Sequence, residues 1–254
     1  MIFFVLIGLF TGALTGFSGA SAVVVVVPAL TLFLHLPFRI AVGTSLAVDV
    51  ITSLVVAWSY ERQGNVKLKK AIPLVLGATI GAQTGVILAH YVPTSWLDIL
   101  FSSFMVILSW NFLFHGWRNI PLVNPPSIEE LNRNPSWKMI IGVGAIGFFI
   151  GNISGLIGAS GGILFLVALM YGLKFPLRNA IGTSTAVMGL SALSGSLGYG
   201  WHGEVDITAL AVIGSIAVVT GFFVAQYAQG IKERYQIGGT GLLLFVIGLS
   251  MLVH

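Results

Sequence analysis

Two runs of small residues stand where this chain could hold an anion without a charged side chain. The first reads Gly16-Phe17-Ser18-Gly19-Ala20-Ser21 and the second Gly155-Leu156-Ile157-Gly158-Ala159-Ser160-Gly161-Gly162. Each interrupts an apolar stretch. A helix that restarts after such a break aims unpaired N–H groups, and the positive end of its dipole, at whatever lies beyond its tip. Glycine there supplies backbone angles that other residues avoid and lets a ligand come close to the amides. The plainer reading is tight helix packing through small residues, and Gly77, Gly81 and Gly85 are read that way.

Other groups sit at fixed distances from these breaks. Gly43-Thr44-Ser45 recurs as Gly182-Thr183-Ser184. Hydroxyls one or two turns into a membrane helix can donate to an oxyanion, or can back-bond to the preceding turn. Arg39 and Arg178 precede these motifs. Their donor forks suit oxyanions, but interfacial anchoring is the stronger reading, with attraction of anions at each mouth as a secondary role. Asp49 is the acid that lies deep inside an expected span. It is a candidate for carrying a coupling proton, or for a neutral hydrogen-bonded role toward Thr52 or a neighbouring helix. Asn111, His115, Gln83 and His90 have no assignable partner. No histidine spacing suits a metal, no nucleophile–base pair is readable, and no catalytic residue or cofactor is expected.

The breaks belong to a duplication. Residues 12–49 align without a gap on residues 151–188, and one offset of 139 residues carries Gly16 onto Gly155 and Ser45 onto Ser184. Asp49 falls on Met188, so that acid is not duplicated. The repeat continues, three residues shorter, from Thr84-Gly85 to Thr220-Gly221. Duplicated halves in an apolar chain mark a transporter whose site lies where the halves meet.

The elements that must position these residues follow from composition. Of 254 residues 56% are apolar and 8% charged, against roughly 25% charged in a soluble domain. The chain is expected to be an all-α polytopic membrane protein, since lipid admits little else without strand alternation. Its net charge of +4 is accounted for by loop residues on one side of a membrane, and no nucleic-acid partner is implied. There is no cysteine. Apolar segments fall at about 2–15, 20–36, 40–60, 71–92, 96–115, 138–150, 159–173, 177–199, 207–229 and 235–253. Residues 1–116 form a first membrane repeat, 117–137 a cytoplasmic linker with a capping box at Ser127 and Glu130, and 138–254 a second repeat. Trp58, Trp96, Trp117, Trp137 and Trp201 fall near span ends, as interfacial belts do.

The broken first block of each repeat decides the topology. Fourteen residues reach only about 21 Å, short of a hydrocarbon core of roughly 30 Å. Two such pieces meeting in the membrane form a re-entrant hairpin. If both blocks are hairpins, eleven of the twelve Lys and Arg lie on one side and only Arg39 on the other; if they are full spans, the division is seven to five. The positive-inside rule favours hairpins. The expectation is two inverted repeats, each a re-entrant helical hairpin plus three transmembrane helices, with both termini outside.

At these residues the chain resembles the TauE/SafE sulfite exporter family, also called the toluenesulfonate uptake permease family. The resemblance rests on Gly16-x-x-Gly19 with Pro37-x-Arg39-x-Ala41-x-Gly43-Thr44-Ser45, and on Gly155-x-x-Gly158-Ala159-Ser160-Gly161-Gly162 with Pro176-x-Arg178-x-Ala180-x-Gly182-Thr183-Ser184. It covers essentially the whole chain. It implies a multi-pass inner-membrane transporter of sulfite, sulfoacetate or similar sulfur oxyanions and organosulfonates, usually exporting. One departure is visible. Copy one has Ala22-Val23 where copy two keeps Gly161-Gly162, so the first tip approaches a ligand less closely.

The reading that follows is a secondary transporter for a small sulfur-containing anion, not an enzyme. Its substrate-binding candidates are Gly16, Gly19, Ala20, Ser21, Thr44, Ser45, Gly155, Gly158, Ser160, Gly161, Thr183 and Ser184. Membrane lipid is the other partner, and a homodimer is a candidate assembly. A passive anion channel on the same scaffold, and uptake instead of export, stand as alternatives.

Overall fold

The computed structural model describes residues 2–118, 137–158, 161–228, 242 and 245, without the side chains of 108, 111–118, 163 and 228. Helix α1 is Ile2–Ser18, α2 is Val23–Pro28, α3 is Phe38–Glu61, α4 is Leu68–Tyr91 and α5 is Thr94–Arg118. In the second half α6 is Trp137–Ile157, α7 is Gly161–Gly172, α8 is Leu177–Trp201 and α9 is Ile207–Ala228. The described residues contain no strand. Helices α3, α4, α6, α8 and α9 are each long and apolar enough to cross a membrane. The expected final span at 235–253, apart from residues 242 and 245, and the linker's capping box lie outside the described residues.

The first helix of each half runs further than its sequence suggests. α1 continues through Gly16 to Ser18, and α6 through Gly155 to Ile157. The breaks fall only at Gly19 and Gly158, where φ is +68° and +67°. Gly16 and Gly155 are therefore helical, and they serve close packing: Gly16 lies on the backbone of Gly221, and Gly155 on that of Ala82. With 21 residues, α6 is about 31 Å long, so shortness does not make this block a hairpin.

Chain direction does. Gly8, Gly12 and Gly16 of α1 lie in turn against Ile213, Ala217 and Gly221 of α9, so the two helices are parallel. Ile51 meets Gly214 and Val56 meets Gly221, so α3 is parallel to α9 as well. α1 and α3 thus run the same way, and the segment between them must return. Likewise Gly147, Gly151 and Gly155 of α6 face Leu74, Ala78 and Ala82 of α4. Ser191 donates to Ala78 O at 3.3 Å and Gly195 lies by Ala82, which makes α8 parallel to α4 and α7 the returning arm. The return in the first half is irregular. Pro28 lacks the N–H for an α-helical bond, and the chain widens at once to a π-helix over Ala29–Phe33.

The duplication is visible in the contacts. Every described residue with positive φ recurs: Gly19 with Gly158, His35 with Lys174, Gly64 with Gly203. Leu36 N donates to Leu30 O as Phe175 N does to Leu169 O, both at 3.1 Å. Contacts between halves come in exchanged pairs, as in a two-fold interface. Asp206 N donates to Thr44 Oγ1 at 2.8 Å, and Lys67 N to Thr183 Oγ1 at 2.9 Å. Gly43 lies on Tyr199 and Gly182 on Tyr60. Close seams of glycine against backbone hold α4 to α6 and α1 to α9, an arrangement suited to lipid, where burial supplies no drive between helices.

Candidate functional site

The breaks meet side by side in the interior. A Cβ at Gly162 would stand 2.6 Å from Gly19 O, and one at Gly158 would stand 3.1 Å from Val23 Cγ1. The two segments therefore cross in opposite directions, and their midpoint is near Ser21. Ala20, Ser21, Ala22 and Val23 are all fully or almost fully buried. Gly19 also rests on Ile181 and Thr185 of α8, and Gly158 on Val42 of α3. Ala159 and Ser160 lie outside the described residues.

Asp49 reaches this crossing. Its carboxyl accepts from the Ser21 hydroxyl and, at 2.6 Å, from Ala22 N. Ser21 Oγ in turn accepts from Val23 N at 3.2 Å. The side chain is 1% exposed. Both of its oxygens take donors, one from a hydroxyl and one from an amide at the start of the returning arm. The expected contact with Thr52 is not made: Thr52 Oγ1 is buried without a partner. Ser53 lies alongside the carboxyl without a hydrogen bond of ordinary geometry.

The Gly-Thr-Ser hydroxyls are otherwise engaged. Thr44 and Thr183 receive the backbone N–H groups that open α9 and α4. Ser45 and Ser184 bond back to Val42 O at 2.8 Å and Ile181 O at 3.0 Å. Arg39 caps the end of α4, donating to Ala89 O and Val92 O, each at 3.0 Å. Gly16 O and Gly155 O accept from the buried hydroxyls of Tyr60 at 3.5 Å and Tyr199 at 2.9 Å. Thus Gly19, Ala20, Ser21, Gly158 and Gly161 are brought to the crossing. Gly16, Gly155, Thr44, Ser45, Thr183 and Ser184 line its supports.

Sequence reasoning missed two features. One is a set of buried hydroxyls without partners, Thr11 and Thr15 on α1 and Thr52, Ser53 and Ser59 on α3. The repeat places Ile150, Ser154, Ser191, Ala192 and Gly198 there in the second half, so the first half is the more polar. The other is a cluster at one end of α4. His90 Nε2 lies 3.1 Å from Glu204 Oε2, and the His90 and His202 rings stack at 4.1 Å. The tyrosine pair was readable, since Tyr60 and Tyr199 obey the same offset as the glycines. Among the described residues no group of His, Asp or Glu could hold a metal.

A polytopic helical bundle whose halves repeat, and whose breaks meet inside it, defines a membrane transporter. The chain belongs to the TauE/SafE family: the model for "Sulfite exporter TauE/SafE" matches residues 4–251. Relatives include the probable membrane transporter protein YdhB of Bacillus subtilis, 31% identical over 82% of each chain. YunE of the same organism is 26% identical over 84% of this chain and 83% of its own. A probable membrane transporter of Methanocaldococcus jannaschii, MJ0441, is 24% identical over 77% and 70%. No solved structure matches the chain significantly.

Proposed function

We propose that this transporter moves a small sulfur oxyanion or sulfonate across the inner membrane, in the direction of export, through a site at the crossing of the two helix breaks. The observation that carries the reading is the crossing itself: two left-handed breaks, related by the repeat, lie against each other where the halves meet. Restarted helix ends and hydroxyls supply donors without a fixed positive charge that would hold an anion too tightly. An inside-negative membrane would drive export, at about 2.3 kcal/mol per charge per 100 mV. The family name supports sulfite as the first anion to try.

In this reading α1 with α2, and α6 with α7, are re-entrant hairpins, and the two halves are inverted about an axis in the membrane plane. Both termini then face outward, with the 117–137 linker in the cytoplasm. The chain contains no cysteine, so single-cysteine labelling tests this cleanly. Gln63→Cys should react only from the cytoplasmic face and Trp201→Cys only from outside; reaction of both from one face sinks the topology. Function is tested in proteoliposomes loaded with labelled sulfite. Saturable efflux with counterflow is expected, and linear, non-exchanging flux would instead mean a channel. Ser21 and Ser160 replaced by leucine should each weaken transport, and unchanged kinetics in both would remove the crossing as the site. Asp49→Asn should abolish the pH dependence of efflux if the acid carries a coupling proton; the same pH profile as the wild type makes Asp49 structural.

A further inference from the structure

The repeat fastens the halves together by the same backbone contacts at opposite ends of the α3–α8 pair. At one end Glu204 N donates to Tyr199 O and Asp206 N to Thr44 Oγ1; at the other Asn65 N donates to Tyr60 O and Lys67 N to Thr183 Oγ1. The turns that carry them rest on Gly43 and Gly182. The side-chain pair beyond is titratable at one end and neutral at the other. Glu204 reaches His90 on the last turn of α4, whereas the repeat equivalents are Asn65 and Gln226.

His90 has an acceptor at each ring nitrogen. Nδ1 lies 2.8 Å from Val86 O, and Nε2 lies 3.1 Å from Glu204 Oε2. A carbonyl only accepts, so Nδ1 carries a hydrogen. The contact at Nε2 then needs a second proton, on the imidazole or on the carboxyl. Without that proton two lone pairs face each other. The surrounding charges are otherwise engaged. His202 turns Nδ1 to Gly198 O at 2.9 Å and stacks its ring 4.1 Å from that of His90. Arg39 of α3 points at carbonyls, reaching His90 O at 3.5 Å. The Tyr199 ring stands 6.1 Å away with its hydroxyl given to Gly155 O. Asp206 accepts from Ala209 N at 2.9 Å. Lys138 and Arg178 lie in the opening turns of α6 and α8, which run parallel to α4, and so at the far end. Among the described residues Asp98 of α5 pairs with neither histidine. The His90 and Glu204 side chains are 22% and 19% exposed, so the shared proton exchanges with solvent on that side.

We infer that the His90–Glu204 pair is a proton-binding site, separate from Asp49, that latches one mouth of the transporter. While the pair holds its proton, the turn at 202–206 is fastened to α4. When the solvent at that face turns alkaline the proton passes from the pair to water, the pair goes from neutral overall to one negative charge, and the latch loosens. The same end of α8 carries the Tyr199 bond to Gly155 O, one turn before the second break, so loosening it relaxes a support of the crossing. The opposite mouth, with Asn65 and Gln226 in these places, has no such dependence. In the topology proposed above the latched mouth faces outward. The inference rests on the transport reading for what the mouth passes, and on the contact alone for the proton.

The test is amide hydrogen exchange on the full chain in detergent, corrected for the intrinsic effect of pH. The amides of Glu204 and Asp206 report the latched turn, and those of Asn65 and Lys67 are the internal reference. Between about pH 6 and about pH 9, protection of the first pair should fall about fivefold, the scale of a partly exposed ion pair, while the second pair holds constant. Glu204→Gln gives the unprotonated Nε2 an amide donor at every pH, so the turn should stay protected throughout. His90→Phe keeps a ring without nitrogens, and protection should be low at both ends of the range. An equal fall at both turns, no fall in the wild type, or an undiminished fall in Glu204→Gln overturns the proton site. If His90→Phe does not fold, the wild type and Glu204→Gln decide. Efflux of methanesulfonate, whose charge is constant over this range, is measured separately in proteoliposomes. A rate that ignores pH on the Trp201 face while exchange responds overturns the latch as a gate. No transport of methanesulfonate or sulfite, with the exchange pattern intact, sinks the transport reading and leaves the proton site standing.

Discussion

Tyr199 and Tyr60 occupy equivalent places, yet they should not be worth the same. Both hydroxyls are buried and both point at the carbonyl of the last helical glycine before a break. Tyr199 makes the bond at 2.9 Å, whereas Tyr60 stands 3.5 Å from Gly16 O, at the limit of a hydrogen bond. Carbonyls in the last turn of a helix have no partner within it, so Gly155 O depends on Tyr199. Phenylalanine keeps the ring and its packing and removes only the donor. Leaving a buried acceptor unpaired costs about 1–3 kcal/mol, while a bond at the distance limit contributes about 0.5 kcal/mol or less. Tyr199→Phe should therefore lose about 1–2 kcal/mol, or about 3–6 °C in the midpoint of a chain this size. Tyr60→Phe should lose about 1 °C. The assay is tryptophan fluorescence on heating in detergent, at one scan rate because unfolding of such proteins is rarely reversible. Equal shifts for the two variants, or a larger one for Tyr60→Phe, would refute the reasoning that the distance decides the value.

Gly19→Ala should be far costlier than Gly64→Ala. Both put alanine at positive φ, about 1–2 kcal/mol, but the Cβ at Gly19 also meets Ile181 and Thr185 at 3.0 Å while Gly64 has open space; thermal midpoints of the pair check this. Gly151→Val, which drives a side chain into the Ala78 carbonyl, should part α4 from α6 and abolish folded, monodisperse protein on size exclusion. Arg39→Lys should destabilise less than Arg39→Ala, because a single nitrogen, Nη2, reaches both Ala89 O and Val92 O and an ammonium carries donors enough for both; thermal midpoints of the two variants check this. A double-mutant cycle on His90 and Glu204 should give a coupling of up to about 1 kcal/mol that shrinks as salt is raised.

The architecture was legible where the sequence repeats a backbone requirement. Gly19 and Gly158 must turn left-handed, so each had to be glycine, and the pair located both breaks. Asp49 shows the limit. Its type and depth marked it as unusual, but its partner depends on the returning arm folding back from the break, which brings Ala22 to α3 from 27 residues away. The roles of Thr44 and Thr183 were hidden for a related reason: each receives an N–H from the opposite half, and no periodicity within α3 or α8 records that. Gly16 and Gly155 were read as part of the break because a glycine in an apolar helix looks the same whether it bends the chain or admits a neighbour. The lengths of α1 and α6 followed from that ambiguity. His90 and Glu204 were invisible as a pair, because their repeat equivalents are the neutral Gln226 and Asn65.

Neither half owns a complete surface. The glycine face of α1 is covered by α9 and that of α6 by α4, so each unit shelters the backbone of the other. A gene encoding only the first unit would leave its most closely fitted seam bare, and its product would have to recruit an identical copy. The present single polypeptide can be understood as such a pair joined end to end. Covalent joining freed the copies to diverge, and an acid at position 49 opposite a methionine at position 188 is a difference that no identical pair could have carried.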